Sequence, residues 1–269
     1  MGNTTSKSAI QILAPLSFLY DFSAQQYGIF SKPNMLDVHK KNLAAFSPQP
    51  FFIAGFFFPQ QVFQLVWLWK LWKRKGEGER RGIIERGEGD VMETFGWFYV
   101  LGNVCIGTWM FFWNASDLKT SNIFVIINTF SQLLYITTLL PPLDTCSTPN
   151  FLTHMVAKTF AGIGVLDLLH NTSAAYYRNV PPSTVVQVTT GVGFAAAASV
   201  SDWIFGGCLV YDLVALSMGQ QGGWSQLLGG YVVITAGIVG LRNWFYPMGS
   251  KKVEDGYSRV NGEEGEGGG

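Results

Sequence analysis

The stretch Phe51–Trp72, FFIAGFFFPQQVFQLVWLWKLW, sets the fold class of this chain. Residues 51–69 carry no formal charge, and as a helix they would extend about 28 Å, close to the thickness of a bilayer hydrocarbon core. Trp67, Trp69 and Trp72 then stand beside a run of basic residues. Indole rings at headgroup depth followed by cations are typical of the end of a span. The stretch therefore predicts a helix that crosses a membrane.

The composition agrees with a protein that lies in lipid. Of the 269 residues, 13% are charged and 48% are hydrophobic, whereas about a quarter of the residues in a soluble domain are charged. The formal net charge is zero, which gives no reason to expect a nucleic acid partner. We expect an integral membrane protein in contact with the lipid bilayer of an endomembrane or the plasma membrane.

Five further apolar segments follow the first, separated by polar turns and edged by aromatic residues. Together they predict an all-α polytopic transmembrane helical bundle over residues 51–247, with six spans. Five spans are the alternative, because the fourth segment carries His154, Lys158 and Asp167 and would be the one to lie flat. The predicted spans are 51–72, 95–113, 123–140, 151–169, 191–216 and 227–245.

The flanking and connecting segments are polar or interrupted. Residues 1–50 mix short apolar groups with prolines, so a flexible N-terminal surface or interfacial segment is expected. The acidic, glycine-rich tail 248–269 has no apolar periodicity and is predicted to be disordered. The connection 73–90 reads as a solvated loop, and its Lys and Arg residues favour the cytoplasmic side. With six spans, this loop would face away from both termini.

The cysteines and histidines give no sign of a metal site. Cys105, Cys146 and Cys208 are an odd number, and two of them fall within predicted spans, so no disulfide framework is expected. The three histidines are scattered and lack the spacing of a metal-binding motif. We therefore predict neither a metal nor a cofactor.

Three carboxylates, those of Asp167, Asp202 and Asp212, fall inside predicted spans. Each costs about 2.5–3.5 kcal/mol at bilayer depth on insertion scales, so each needs a reason to be there. The reason is either a functional site or a hydrogen bond to a neighbouring helix. Asp202 and Asp212 would lie about 15 Å apart along one helix and cannot act as a touching pair.

The other ionisable residues of the fourth segment have simple interpretations. His154 and Lys158 lie four residues apart on one helical face, and snorkelling toward an interface explains both. Asp167 and His170 lie three residues apart and fit either a proton-handling pair or a surface pair.

The first span also predicts a binding site for a small apolar ligand. Pro59, Phe63 and Trp67 fall at i, i+4 and i+8, and a kink at the proline would open space beside them. Gln60 and Gln64 flank this face with amides that can orient a polar group. The alternative is that Phe63 and Trp67 pack against other helices.

Three function classes fit these features. They are a ligand-binding or transport bundle, a helix-packing partner within a larger membrane complex, and an intramembrane enzyme that uses Asp202. Asp202 is also a candidate ligand-binding residue, and Gly191, Ala195 and Ser199 have the four-residue spacing of a helix-packing stripe. No catalytic motif occurs, so we assign no catalytic residue and lean against an enzyme.

The spacing of Pro59, Val62, Phe63, Val66 and Trp67 resembles that of the tryptophan-rich sensory protein family, also called the TspO or peripheral benzodiazepine receptor family. The resemblance implies a five-helix core that binds porphyrins, sterols or related apolar molecules, with Phe63 and Trp67 among the lining residues. In overall character, the chain also looks like small multi-span membrane proteins of filamentous fungi.

Overall fold

The apolar segments of the sequence form long helices that pack side by side. The computed structural model describes residues 4–77 and 86–246, and no strand occurs within these two ranges. The helices are α1 (Thr4–Phe30), α2 (Met35–Lys41), α3 (Pro50–Glu77), α4 (Arg86–Asn114), α5 (Leu118–Leu134), which a π-helical turn (Tyr135–Leu139) continues, α6 (Thr148–Tyr176), α7 (Thr184–Val200), α8 (Trp203–Gly219) and α9 (Gly222–Phe245).

Five helices in the described ranges are long and apolar enough to cross a bilayer. They confirm the predicted all-α transmembrane helical bundle. Their number is that of the five-span alternative, but the fourth segment, which that alternative places flat, is one of the five. These helices are α3, α4, α5 with its π-helical turn, α6 and α9. The fourth predicted span, which has the most ionisable residues, corresponds to α6, the most deeply buried of the five.

The fifth predicted span, 191–216, is divided between two shorter helices. α7 ends at Val200 and α8 begins at Trp203, and each has 17 residues. Asp202 caps α8, since its carboxylate accepts a hydrogen bond from the backbone N–H of Phe205 at 3.0 Å. A helix cap therefore breaks the segment that the apolar pattern predicts as one crossing.

α1 lies parallel to α4 along almost its whole length. Ile10 packs against Gly96 near the start of both helices, where a Cβ atom on the glycine would lie 2.5 Å from Ile10 Cγ2. Near the other end, the Asn114 amide donates a hydrogen bond to the Ser31 hydroxyl at 2.7 Å. α1 is thus part of the helical bundle, although it is not among the helices that are long and apolar enough to cross a bilayer. The surface or interfacial position of residues 1–50 stays a prediction.

The long helices alternate in direction along the chain. We name the end of the bundle at which α2 lies the α2 end. α1, α4 and α6 finish there, whereas α3, α5, α7 and α9 start there. α9 begins where Trp224 Nε1 donates to the Ala45 carbonyl at 2.6 Å. Near its far end, the Asn243 amide donates to the Ser201 carbonyl at 3.1 Å. α7 and α8 therefore form a hairpin that turns beside the far end of α9 and returns to the α2 end.

This course of the chain changes the predicted orientation. α1 starts and α9 finishes at the end opposite α2, and the connection between α3 and α4 lies at that same end. The sequence predicts that this connection and the chain ends face opposite sides. That prediction is wrong for the described ends, because α1 adds a helix and α7 and α8 turn back. Residues 78–85 and the predicted disordered tail 248–269 lie outside the described residues.

The bundle is apolar on its outside and polar within. Large apolar side chains on the outer faces are more than half exposed, among them Ile12, Leu16, Phe58, Val185 and Val233. Such a surface is not tolerated in water but suits lipid. The buried polar side chains include Gln60, Gln64, Asn103, Asn128, Gln132 and Asp212. The chain is therefore an integral membrane protein of the polytopic α-helical class.

Candidate functional site

The face of α3 that was predicted to bind a ligand is divided between surface and core. Pro59 is exposed and Phe63 packs partly buried against the core. Trp67 is fully buried, with its ring centroid 5.4 Å from that of Phe95 and 4.9 Å from that of Tyr99. Trp67 thus occupies a packed position, which is the alternative that the sequence left open.

The two glutamines beside this face have different surroundings. The side-chain oxygen of Gln64 accepts a hydrogen bond from the Tyr99 hydroxyl at 2.8 Å. Gln60 is only 2% exposed, yet neither its amide nitrogen nor its oxygen has a hydrogen-bond partner within the described ranges. A buried polar group without a partner costs about 1–3 kcal/mol. Gln60 therefore offers a free donor and a free acceptor inside the bundle.

Gln60 borders a small cavity between helices. The polar part of its wall comes from Asp21 of α1, Gln60 of α3, Asn128 of α5 and Asp167 of α6. Gln60 and Asn128 lie near the middle of their apolar helices, so the cavity is deep within the bundle. Its accessible space suits about one water molecule. The apolar part of the wall is formed by Phe57, Ile106, Phe160 and Ile163.

A third carboxyl group lies close to this cavity. Asp212 of α8 is fully buried, and neither of its carboxyl oxygens has a partner in the described part of the chain. Asp167 is near enough to interact with it electrostatically. Acidic side chains from α1, α6 and α8 therefore meet inside the bundle, where the sequence showed only isolated acids in separate segments.

Asp202 belongs to a separate, closed network. Its carboxylate forms an ion pair with Lys158 of α6, and the Lys158 ammonium also donates to Nδ1 of His154 at 2.7 Å. His154 Nε2 lies 2.9 Å from the Pro141 carbonyl and must donate to it, which leaves Nδ1 as the acceptor. Lys158 is buried rather than snorkelling, so that interpretation is wrong. Asp202 therefore has two partners within the described ranges, and its predicted role in ligand binding or catalysis stays a prediction.

Two histidines connect the cavity region with the α2 end. His170 follows Asp167 by one helical turn, and its ring centroid lies 5.1 Å from that of His39 on α2. His170 Nε2 has no partner among the described residues. Burial, aided by the nearby charge of Lys40, lowers the pKa of His39 from 6.5 to about 4. His39 is therefore neutral at pH 7, and its ring has one N–H that can donate a hydrogen bond and one nitrogen that can accept one.

Sequence reasoning identified some of these residues but not their partners. Gln60 and Asp167 were singled out, each on its own helix. Asp21 was missed, because Pro15 made its segment look too interrupted to be a long helix. If that segment had been interpreted as a helix, Asp21 would have stood out as a carboxylate on an apolar helical face, which is typical of a functional residue in a membrane protein.

Within the described ranges, no group of three or more His, Cys, Asp or Glu residues is placed to hold a metal ion. Comparisons with protein-family models, with curated proteins and with solved structures gave no match to this chain. The resemblance to the TspO family stays a prediction.

Proposed function

We propose that this protein is a transporter that moves a small cationic or hydrogen-bond-donating solute through the interior of the bundle. The observation that carries the proposal is the unpartnered amide of Gln60, which borders a cavity shared with Asp21 and Asp167. Polar groups that only stabilise a fold are normally paired. Unpaired polar and acidic groups at bilayer depth are instead typical of pathways for ions and substrates.

The kind of solute follows from the chemistry of the interior. Asp21, Asp167 and Asp212 supply carboxyl groups, whereas the buried ammonium of Lys158 is engaged by Asp202. An anion would meet like charges and a shortage of free donors. A cation, or a neutral molecule that donates hydrogen bonds, would meet complementary groups.

A sterol-like or porphyrin-like ligand at Pro59, Phe63 and Trp67 stays a prediction with less support. A ligand of that size needs a pocket of several hundred Å³, and the ring of Trp67 is packed against aromatic neighbours. The proposed transport route passes Gln60 in the interior of the bundle and does not involve this face of α3.

A second candidate function is that of a helix-packing partner, which the outer face of α9 favours. Gly230 and Gly237 are exposed there, and a Cβ atom on either would meet nothing within 4 Å in the described structure. Small residues on a lipid-facing helix let another helix approach closely. Gly191 of the predicted stripe serves internal packing instead, because a Cβ atom there would lie 2.6 Å from the ring of Tyr231.

Uptake into proteoliposomes tests the transport proposal. Liposomes containing the full chain should take up radiolabelled methylammonium or sodium faster than protein-free liposomes. Gln60→Leu should lower that uptake, whereas Gln61→Leu, a matched change at the next position, should not. Uptake equal to that of empty liposomes, with the protein shown to be folded, would contradict transport and favour the helix-packing role.

A further inference from the structure

We propose that the cavity is a proton-binding site in which one water molecule links the carboxyl groups of Asp21 and Asp167. The inference rests on the proposed transport function and names the proton as the transported or coupling species. It concerns a site built by four helices, each of which contributes one polar side chain.

The size and lining of the cavity fit water. An ordered internal water needs little more than its own volume and two to four polar partners. The cavity has that space and four polar side chains around it. Besides Gln60, Asn128 has a side-chain oxygen that lacks a partner within the described ranges. A water molecule would give both amides the hydrogen bonds that the chain itself does not supply.

The transfer step balances in atoms and charge. The carboxylic acid of Asp21 donates its proton to the water, and the water releases another of its protons to the carboxylate of Asp167. The transfer leaves Asp21 ionised, Asp167 neutral and the water unchanged. The amide nitrogen of Gln60 can donate to the water oxygen, and the side-chain oxygen of Asn128 can accept from it.

The groups around the two acids come from every helix packed against them. On α1, the Gln25 amide donates to Asp21 at 3.3 Å. On α4, Tyr99 is near enough to interact with Asp21 electrostatically, and its hydroxyl is held by Gln64. α3 and α5 contribute the side-chain amides of Gln60 and Asn128 to the cavity wall. α8 adds the carboxyl group of Asp212, which interacts electrostatically with Asp167. Neighbouring carboxyl groups disfavour simultaneous ionisation, which favours holding a proton here.

Two histidines lie between the cavity and the α2 end of the bundle. His170 lies one helical turn from Asp167 on α6, toward the α2 end, and the ring of His39 contacts the ring of His170. Beyond His39, Lys40 is exposed at the surface. Imidazole rings can take up a proton on one nitrogen and release it from the other, so we place the two histidines on the proton route between the α2 end and the cavity.

An ion pair lies on the opposite side of the cavity. Lys158 stands between the far end of the bundle and the cavity region, where Asp202 balances its charge and Nδ1 of His154 accepts a hydrogen bond from it. The cavity therefore lies between the two histidines and this ion pair.

Infrared difference spectroscopy of the purified full chain during a pH titration tests the site. A protonated carboxyl band should disappear as the pH rises, and one carboxyl signal should be lost in Asp167→Asn and also in Asp21→Asn. Gln60→Leu should shift the band, because the group loses its hydrogen-bonded water. Asp144→Asn, at an exposed loop position, is the matched control and should leave the band unchanged. A band that is the same in the wild type, Asp167→Asn and Asp21→Asn overturns the proposal.

Combining the spectrum with uptake distinguishes this inference from the proposed function. Titration of the Asp21 and Asp167 carboxyl groups without any uptake supports the proton site and removes the transport role. Uptake that persists unchanged in Asp167→Asn, without a carboxyl band, supports transport and overturns the proton site.

Discussion

The ammonium group of Lys158 and the carboxylate of Asp202 form an ion pair inside the bundle, although 44 residues separate them along the chain. The ion pair links α6, at Lys158, to the turn between α7 and α8. Because Asp202 also caps α8, one side chain fixes both the start of that helix and its position against α6.

Removing one member of this pair should destabilise the protein strongly. Lys158→Met leaves the buried Asp202 without its counter-charge, which typically costs about 3–5 kcal/mol. Adding Asp202→Asn should recover much of the loss, since asparagine is neutral and still accepts from the Phe205 N–H. Thermal unfolding in detergent measures Lys158→Met, Asp202→Asn and the double variant. A double variant as unstable as the sum of its two single changes would show that the side chains are not coupled.

Trp67 should behave as a structural residue. Its indole Nε1 donates to the Thr153 hydroxyl at 3.1 Å, and its ring is fully buried. Trp67→Phe loses that hydrogen bond and leaves space, so a loss of roughly 1–3 kcal/mol is expected. Trp69→Phe is the control, because the Trp69 side chain is 55% exposed. Equal unfolding temperatures for the two variants would contradict the packed role of Trp67 and strengthen the apolar-ligand hypothesis.

The contact between α1 and α4 depends on the absence of a side chain at Gly107. A Cβ atom there would lie 2.6 Å from the ring of Tyr20 and 3.2 Å from the backbone of Asp21. Gly107→Ala should therefore lower the unfolding temperature, whereas Gly237→Ala, with open space around it, should not. If both changes are tolerated equally, α1 does not pack on α4 as described.

Lowering the pH should reduce the stability of the folded protein through protonation of His39. Its pKa is about 4 in the folded protein and 6.5 when exposed, so between these values the unfolded chain binds more protons. Stability should therefore fall as the pH drops from 6.5 to 4, by up to about 3 kcal/mol from this residue. His39→Gln should reduce the difference between unfolding temperatures at pH 7 and pH 5. An unchanged difference would mean that His39 is not buried as a neutral ring.

The sequence predicted what depends on neighbouring residues and missed what depends on distant ones. The apolar length of Phe51–Trp72 is a local property, and α3 contains the whole stretch and continues to Glu77. The break between α7 and α8 also has a local cause, because an aspartate before an apolar helix is a capping signal. The sequence analysis missed it because the apolar pattern continues on both sides of Asp202. The partners of Lys158 and Gln60 lie on other helices, and no spacing within one helix reveals them.

Proton movement into sealed proteoliposomes tests whether the bundle transports protons through the site of Asp167. Vesicles with the full chain and a pH-sensitive dye inside are given an inside-negative potassium diffusion potential. We expect these vesicles to acidify faster than protein-free vesicles. Asp167→Asn should slow the acidification by at least about tenfold, equivalent to about 1.4 kcal/mol in the barrier, and Gln61→Leu should leave it unchanged. Acidification at the same rate in the wild type and Asp167→Asn, or at the rate of protein-free vesicles in both, would contradict proton transport through this site.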